Sequence, residues 1–263
     1  MTRTVRYAFF VVCAIQIVLA VAFFLQLPIV INLWPFQGTT PLTFIFVSSI
    51  YAAAAASTFW AVATRHYGAL AGIGLDYLVM PAPVSIVLFQ MAAGGGSPLL
   101  IASAIGIMFA AIFGLGLFLW SRRIPLDPVP PMPGPVRWSF IIFILALLIV
   151  SLRLILKVPN VIPWTITPEL SVVIGWMFFG AATYFAYALL RPSWLNSAGQ
   201  LAGFLAYDAV LIVPFLTRLP TIAPELRMGL TIYTLVVIYS GLLAIYYLFI
   251  HKTTRLGLNS NRT

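Results

Sequence analysis

Two aspartates stand inside runs that are otherwise apolar. Asp76 follows Gly72-Ile73-Gly74-Leu75, and Asp208 follows Ala206-Tyr207. A charge in hydrocarbon costs at least about 2.5–3.5 kcal/mol on insertion scales, so such a residue is a functional candidate by default. Both precede proline: Pro81 and Pro83 after Asp76, Pro214 after Asp208. Proline inside a helix frees a carbonyl and can kink the chain. A carboxyl beside a broken helix is the arrangement of ion and proton sites. The same carboxyl, protonated or hydrogen-bonded, can instead tie helices together. Gln16 and Gln90 are further polar groups inside apolar runs and suit interhelical hydrogen bonds. Tyr207 adds a donor beside Asp208, although neighbouring residues diverge by about 100° on a helix.

The rest of the chain must hold these groups in lipid. Of 263 residues, 62% are hydrophobic and 7% charged, against about 45–50% and about 25% in soluble domains. The mean hydropathy is +1.08. This excludes a water-soluble enzyme, a disordered chain and a disulfide scaffold, and leaves an all-α integral membrane protein surrounded by the lipid bilayer. The net charge is +9, yet the basic residues are scattered one or two at a time between apolar runs, so no nucleic-acid groove is expected. Cys13 is the one cysteine, within an apolar run, and His66 and His251 lie at run ends. No thiolate cluster, haem pair or Ser–His constellation is available, so no metal, cofactor or hydrolase triad is expected. Gly94-Gly95-Gly96 follows no strand and reads as a loop rather than a phosphate cradle.

A span needs about 20 apolar residues. Eight runs qualify: Tyr7–Leu27, Pro41–Ala63, Ala69–Met91, Pro98–Trp120, Trp138–Leu156, Pro168–Leu190, Ser197–Leu216 and Leu226–Ile250. The first is too long for a secretory h-region and reads as a retained span. On this layout Asp208 lies near mid-span and Asp76 about two turns from the cytoplasmic end. Gly106, Ala110 and Gly114 recur every four residues and read as a helix-packing face, as do Ala52–Ala56, Gly68 and Gly72. Arg3, Arg6, Arg65, Arg122, Arg123, Arg137, Arg191, Lys252, Arg255 and Arg262 fall on one side; Arg153, Lys157, Arg218 and Arg227 fall on the other. That asymmetry puts both termini in the cytoplasm. Arg153 and Lys157 suit snorkelling to headgroups.

The halves look related. Trp34-Pro35-Phe36-Gln37-Gly38-Thr39-Thr40-Pro41-Leu42-Thr43 opens the second span, and Ile162-Pro163-Trp164-Thr165-Ile166-Thr167-Pro168-Glu169-Leu170 opens the sixth. Past Pro41 and Pro168 the register holds at 168 − 41 = 127 residues, so that Ala71-Gly72 meets Ala198-Gly199. The expectation is two parallel four-helix repeats, 1–130 and 131–263, related by an axis along the membrane normal. The proline-rich stretch Ser121–Arg137, with Pro125, Pro128, Pro130, Pro131, Pro133 and Pro135, joins them as a semi-rigid linker. Thr40 and Thr167 suit helix caps and the prolines suit the first turn. Trp34, Phe36 and Trp164 fit an interfacial aromatic belt. A second reading makes the two motif copies an outer-face binding lip.

The segment Leu33–Ala63, and more loosely Ile162–Trp194, resembles the Trp-Pro-aromatic-x-x-Thr-Pro-Leu-Thr span start of a family of bacterial multi-span membrane proteins. The first copy departs from that pattern at Gln37-Gly38, and the second has Glu169 where leucine is expected. The resemblance implies a bacterial inner-membrane protein of this layout and implies no activity.

Three functions compete. One is a carrier for a proton, a small cation or a lipid-like solute, using Asp208 and Asp76. Another is an accessory or structural subunit that partners other membrane proteins and needs no site. The third is an intramembrane aspartyl protease. Tyr207-Asp208 is similar to the Tyr-Asp motif of presenilin-like proteases, but Gly72-Ile73-Gly74-Leu75-Asp76 has one residue too many for their Gly-x-Gly-Asp, and the order is reversed. An enzyme is the less favoured class. What discriminates carrier from subunit is whether the acids face a cavity or a flat helix interface.

Overall fold

A computed structural model describes residues 3–36, 39–126 and 131–255. Its helices are α1 (Arg3–Phe24), α2 (Pro28–Asn32), α3 (Pro41–Ala63), α4 (Leu70–Val79), α5 (Pro81–Ala93), α6 (Pro98–Ser121), α7 (Gly134–Ile155), α8 (Pro168–Leu190), α9 (Trp194–Arg218) and α10 (Pro224–Ile245). Among the described residues eight helical segments are long and apolar enough to cross a membrane; α4 and α5 together form the third, and α10 extends through Ile250 to complete the eighth. This is the architecture of a polytopic all-α membrane protein, since only helices and closed barrels satisfy every backbone group in lipid. Side chains such as Val18, Phe109, Trp138, Ile142 and Leu242 remain exposed on its outside, as expected where the solvent is lipid.

Proline opens α3, α5, α6, α8 and α10, where a missing N–H removes nothing from the ladder. The two motif copies differ in their caps. Thr167 accepts from the Leu170 N–H at 3.3 Å, whereas the Thr40 hydroxyl turns to the Thr43 hydroxyl at 3.3 Å and caps nothing. The aromatic-belt expectation is also corrected. Phe36 and Trp164 are buried, and Trp34 packs edge-on against Phe23, Phe36 and Phe44 while donating to Thr39. The rings fill the far end of the bundle instead of facing headgroups. Gln37, Gly38, Pro128, Pro130 and Arg262 lie outside the described residues.

The helices pack in a regular order. α1 lies on α3, α4 and α5 on α6, α7 on α8, and α9 on α10. Two longer-range interfaces join the halves, α3 on α9 and α4 on α8. Glycine allows the close approach at both. Gly72 of α4 meets Tyr184 and Tyr187 of α8, and Gly199 of α9 meets Ser57 and Trp60 of α3. Gly180 of α8 meets Asp76, and Gly203 of α9 meets Ala53. Each of these pairs maps onto its counterpart by the same shift: 199 − 72, 184 − 57, 187 − 60, 180 − 53 and 203 − 76 all equal 127.

The expected stripe on α6 is only partly a packing face. Gly114 lies against the Tyr77 backbone, but Gly106 and Ala110 are exposed. The contact face runs through Ala104, Ala111, Gly114 and Leu117. Interhelical hydroxyl-to-carbonyl bonds pin the pairs: Ser48 to Ala20 at 2.7 Å, Ser85 to Ala104 at 2.9 Å and Ser171 to Leu154 at 2.8 Å. Bonds of this kind contribute about 0.6 kcal/mol each in membranes. Buried Cys13 faces neighbouring helices. The described part of the proline-rich connection docks on the bundle, with Pro131 bridged to Ser193 and Ile124 against Gly68.

Candidate functional site

A cavity of 490 Å³ lies between the halves, lined from α3, α4, α7, α8, α9 and α10. Asp76 and Asp208 both line it. Their helices present them by the same rule. Ile73, Asp76 and Tyr77 of α4 with Met80 just after it, and Gln200, Gly203, Phe204, Tyr207 and Asp208 of α9, reach the cavity. Those positions follow i, i+3, i+4, i+7, the spacing of one helix face.

Asp76 sits five residues before Pro81, which opens α5; Met80, between the two helices, keeps helical geometry and its N–H reaches the Asp76 carbonyl at 3.0 Å. Pro81 has no N–H to donate to the Tyr77 carbonyl. Asp76 faces Gly180, in the middle of α8. It therefore lies at mid-depth of the bundle, not at a wet cytoplasmic edge. Its Oδ1 is buried and accepts no hydrogen bond from the chain. Asp208 is buried at 5% exposure and faces α10. Its Oδ1 accepts from the Ser240 hydroxyl at 3.0 Å, and Oδ2 has no partner. Pro214, inside α9, leaves that helix unbroken.

The other expected residues divide. Tyr207 lines the cavity and hydrogen-bonds Tyr233 of α10 rather than its neighbour Asp208. Gln16 is buried on α1 outside the cavity wall, and its amide donates to the Tyr77 hydroxyl. It acts on the cavity only through that ring. Gln90 is exposed near the end of α5 and does not reach the cavity; the flank of α5 that bears it turns outward, so it is removed from the site. One residue was missed. Gln200 is buried and lines the cavity, with Oε1 unpartnered. Its place on the α9 stripe, two turns before Asp208, is the signal that would have found it.

Asp208 bonds Ser240 through one oxygen and no donor through the other. Among the described residues no group of histidine, cysteine, aspartate or glutamate is arranged to hold a metal ion.

A second recess of 540 Å³ opens at the far end of the bundle. Thr40, Pro41 and Leu42 of the first motif line it together with Pro163, Trp164 and Thr165 of the second. Pro163 borders both this groove and the central cavity.

No family model, no curated protein and no solved structure matches the chain.

Proposed function

We propose that this membrane protein is a carrier that binds a cationic or lipid-like solute at mid-depth, between two parallel four-helix repeats. The observation that carries the reading is that Asp76 and Asp208, on helices of different halves, line one cavity instead of a flat helix interface. Asp76 Oδ1 and Asp208 Oδ2 are buried with no donor from the chain, so the fold leaves both carboxyls incompletely satisfied. Binding sites at the interface of repeats are a recurring feature of secondary transporters. Here Pro81 also leaves the Tyr77 carbonyl, next to Asp76, without its helical donor.

Helix pairing supports the repeat. Exchanging the first span for the fifth, the second for the sixth, the third for the seventh and the fourth for the eighth converts every strong pairing into another that is present. Contacts of Gly72 and Gly180 at one central interface and of Gly199 and Gly203 at the other obey the 127-residue shift. Lys and Arg placement supports cytoplasmic termini, and the span-start motif supports a bacterial inner membrane.

The test is uptake into proteoliposomes of a fluorescent organic monocation, ethidium, with internal pyranine reporting proton movement. The reading expects one of the two signals to exceed that of protein-free vesicles and to vanish in Asp208→Asn, with insertion and folding unchanged. Both signals at the protein-free level would reject it. Full retention of the signal in Asp208→Asn would favour a structural role for this carboxyl.

A further inference from the structure

The cavity differs from an inorganic cation site in what its walls offer. Beyond the acids, Gln200, Arg153, Ser57 and Ser240 they are apolar and aromatic, with Tyr77, Tyr184, Tyr207 and Tyr233 joined by Phe143 and Phe185. A bare metal cation needs about six oxygen ligands, more than the four unpartnered side-chain oxygens here. A volume of 490 Å³ falls within the range of small-molecule sites.

Four cavity-lining side-chain oxygens are buried without a partner: Asp76 Oδ1, Gln200 Oε1, Asp208 Oδ2 and the Tyr184 hydroxyl. The first three can only accept. A buried acceptor without a donor is unfavourable, and two of these belong to carboxyls. Arg153 also lines the cavity, but it is exposed at the far end of α7 and pairs with neither of those oxygens. The complementary occupant carries positive charge and several N–H groups. Aromatic faces favour the same charge.

The walls also indicate the route. α7 and α10 both line the cavity but do not pack along their length. The Ser139–Tyr239 hydroxyl contact, at 2.7 Å, closes the gap near the end bearing the termini. Above it Ala146 and Arg153 on α7, and Gly229, Ile232 and Val236 on α10, are cavity-lining and exposed at once. Residues that line a cavity and face outward border an opening. This one looks sideways into the hydrocarbon.

We infer that the cavity takes a lipophilic primary or secondary amine, as its ammonium ion, admitted from the bilayer between α7 and α10. The ammonium lies between Asp76 and Asp208, and the apolar body lies against the rings. The inference rests on the carrier reading for its biological use, but binding alone tests it. The same chemistry has two sources, a free amine or the amine headgroup of a lipid.

The experiment is calorimetric titration of the protein in phosphatidylcholine nanodiscs with decylamine, decyltrimethylammonium and decanol. Decylamine should bind saturably and about tenfold or more tighter than either analogue, the size of effect that hydrogen bonds to a charged group produce. Asp76→Asn and Asp208→Asn should each weaken decylamine by a similar factor while leaving decanol unchanged, which also shows that the variants fold. Ile232→Trp, at the opening, should slow decylamine entry in stopped-flow quenching. Repeating the titration with phosphatidylethanolamine in the nanodisc separates the sources: competition indicates the lipid headgroup, and no competition a free amine. Equal affinity for the three probes, or decylamine binding untouched by both asparagine variants, would overturn the inference. Selective amine binding without ethidium or proton flux would leave it standing and remove the carrier reading. Flux without amine selectivity would do the reverse.

Discussion

Two interfaces hold the halves together, α4 on α8 and α3 on α9, and contacts of Gly72, Gly180, Gly199 and Gly203 across them match under the 127-residue shift. They differ in what the cavity receives. Where α4 sets Asp76 against Gly180, α9 sets Gly203 against Ala53. The acid of α9 comes later, at Asp208, and turns to α10 and the Ser240 hydroxyl. Packing is thus duplicated while chemistry is not. In the two-repeat reading, backbone approach is the shared inheritance and the carboxyls are separate placements in one space. Glycine explains why the packing persists, because a side chain at these positions would meet the facing helix.

The largest effects should come from filling both interfaces. Gly180→Leu would drive a side chain into Asp76 and Met80, and Gly203→Leu into Ser57 and Ala53. Overpacking of this kind costs about 1–3 kcal/mol or more. Thermal unfolding in detergent should show both variants strongly and comparably destabilised. Tolerance of one and collapse of the other would break the equivalence.

Gly72→Ala and Gly199→Ala sharpen it. A methyl at 72 runs into the Tyr184 ring, while one at 199 stands 3.2 Å from the Tyr184 hydroxyl. The first should lower stability by about 1–3 kcal/mol and the second by less than about 1 kcal/mol. A smaller effect belongs to Ser240→Ala, which removes the one hydrogen bond that the chain makes to an Asp208 oxygen. The expected loss is about 1 kcal/mol, measured by the same unfolding, with no counterpart on the Asp76 side.

Much of this was legible before any coordinates. Pro41 and Pro168 open α3 and α8 where the Thr-Pro pairs predict, and eight spans appear where apolar runs of sufficient length lie. Those features are local, set by proline geometry and by hydrocarbon thickness. Asp76 and Asp208 were legible for the same reason, since a carboxyl in an apolar run stands out from its own neighbours. The rest depends on which helices meet. That α6 turns Ala111 inward and Ala110 outward, that Trp164 fills the bundle, and that Gln200 shares a face with Asp208 while Gln90 does not, are all decided by neighbours far away in the chain.

The central claim is that Asp76 and Asp208 share one cavity. Mutual exclusion of a bulky label tests it most directly. On a Cys13→Ala background, Asp76→Cys and Asp208→Cys would each be treated with a dansyl methanethiosulfonate, alone and combined, and the bound dansyl counted by mass spectrometry. A group of that size occupies most of a 490 Å³ space, within the volume range of small-ligand sites. The account predicts that each single variant is labelled and that the double variant carries about one dansyl per chain. Two labels on the double variant, or no reaction at one of the single sites, would contradict it.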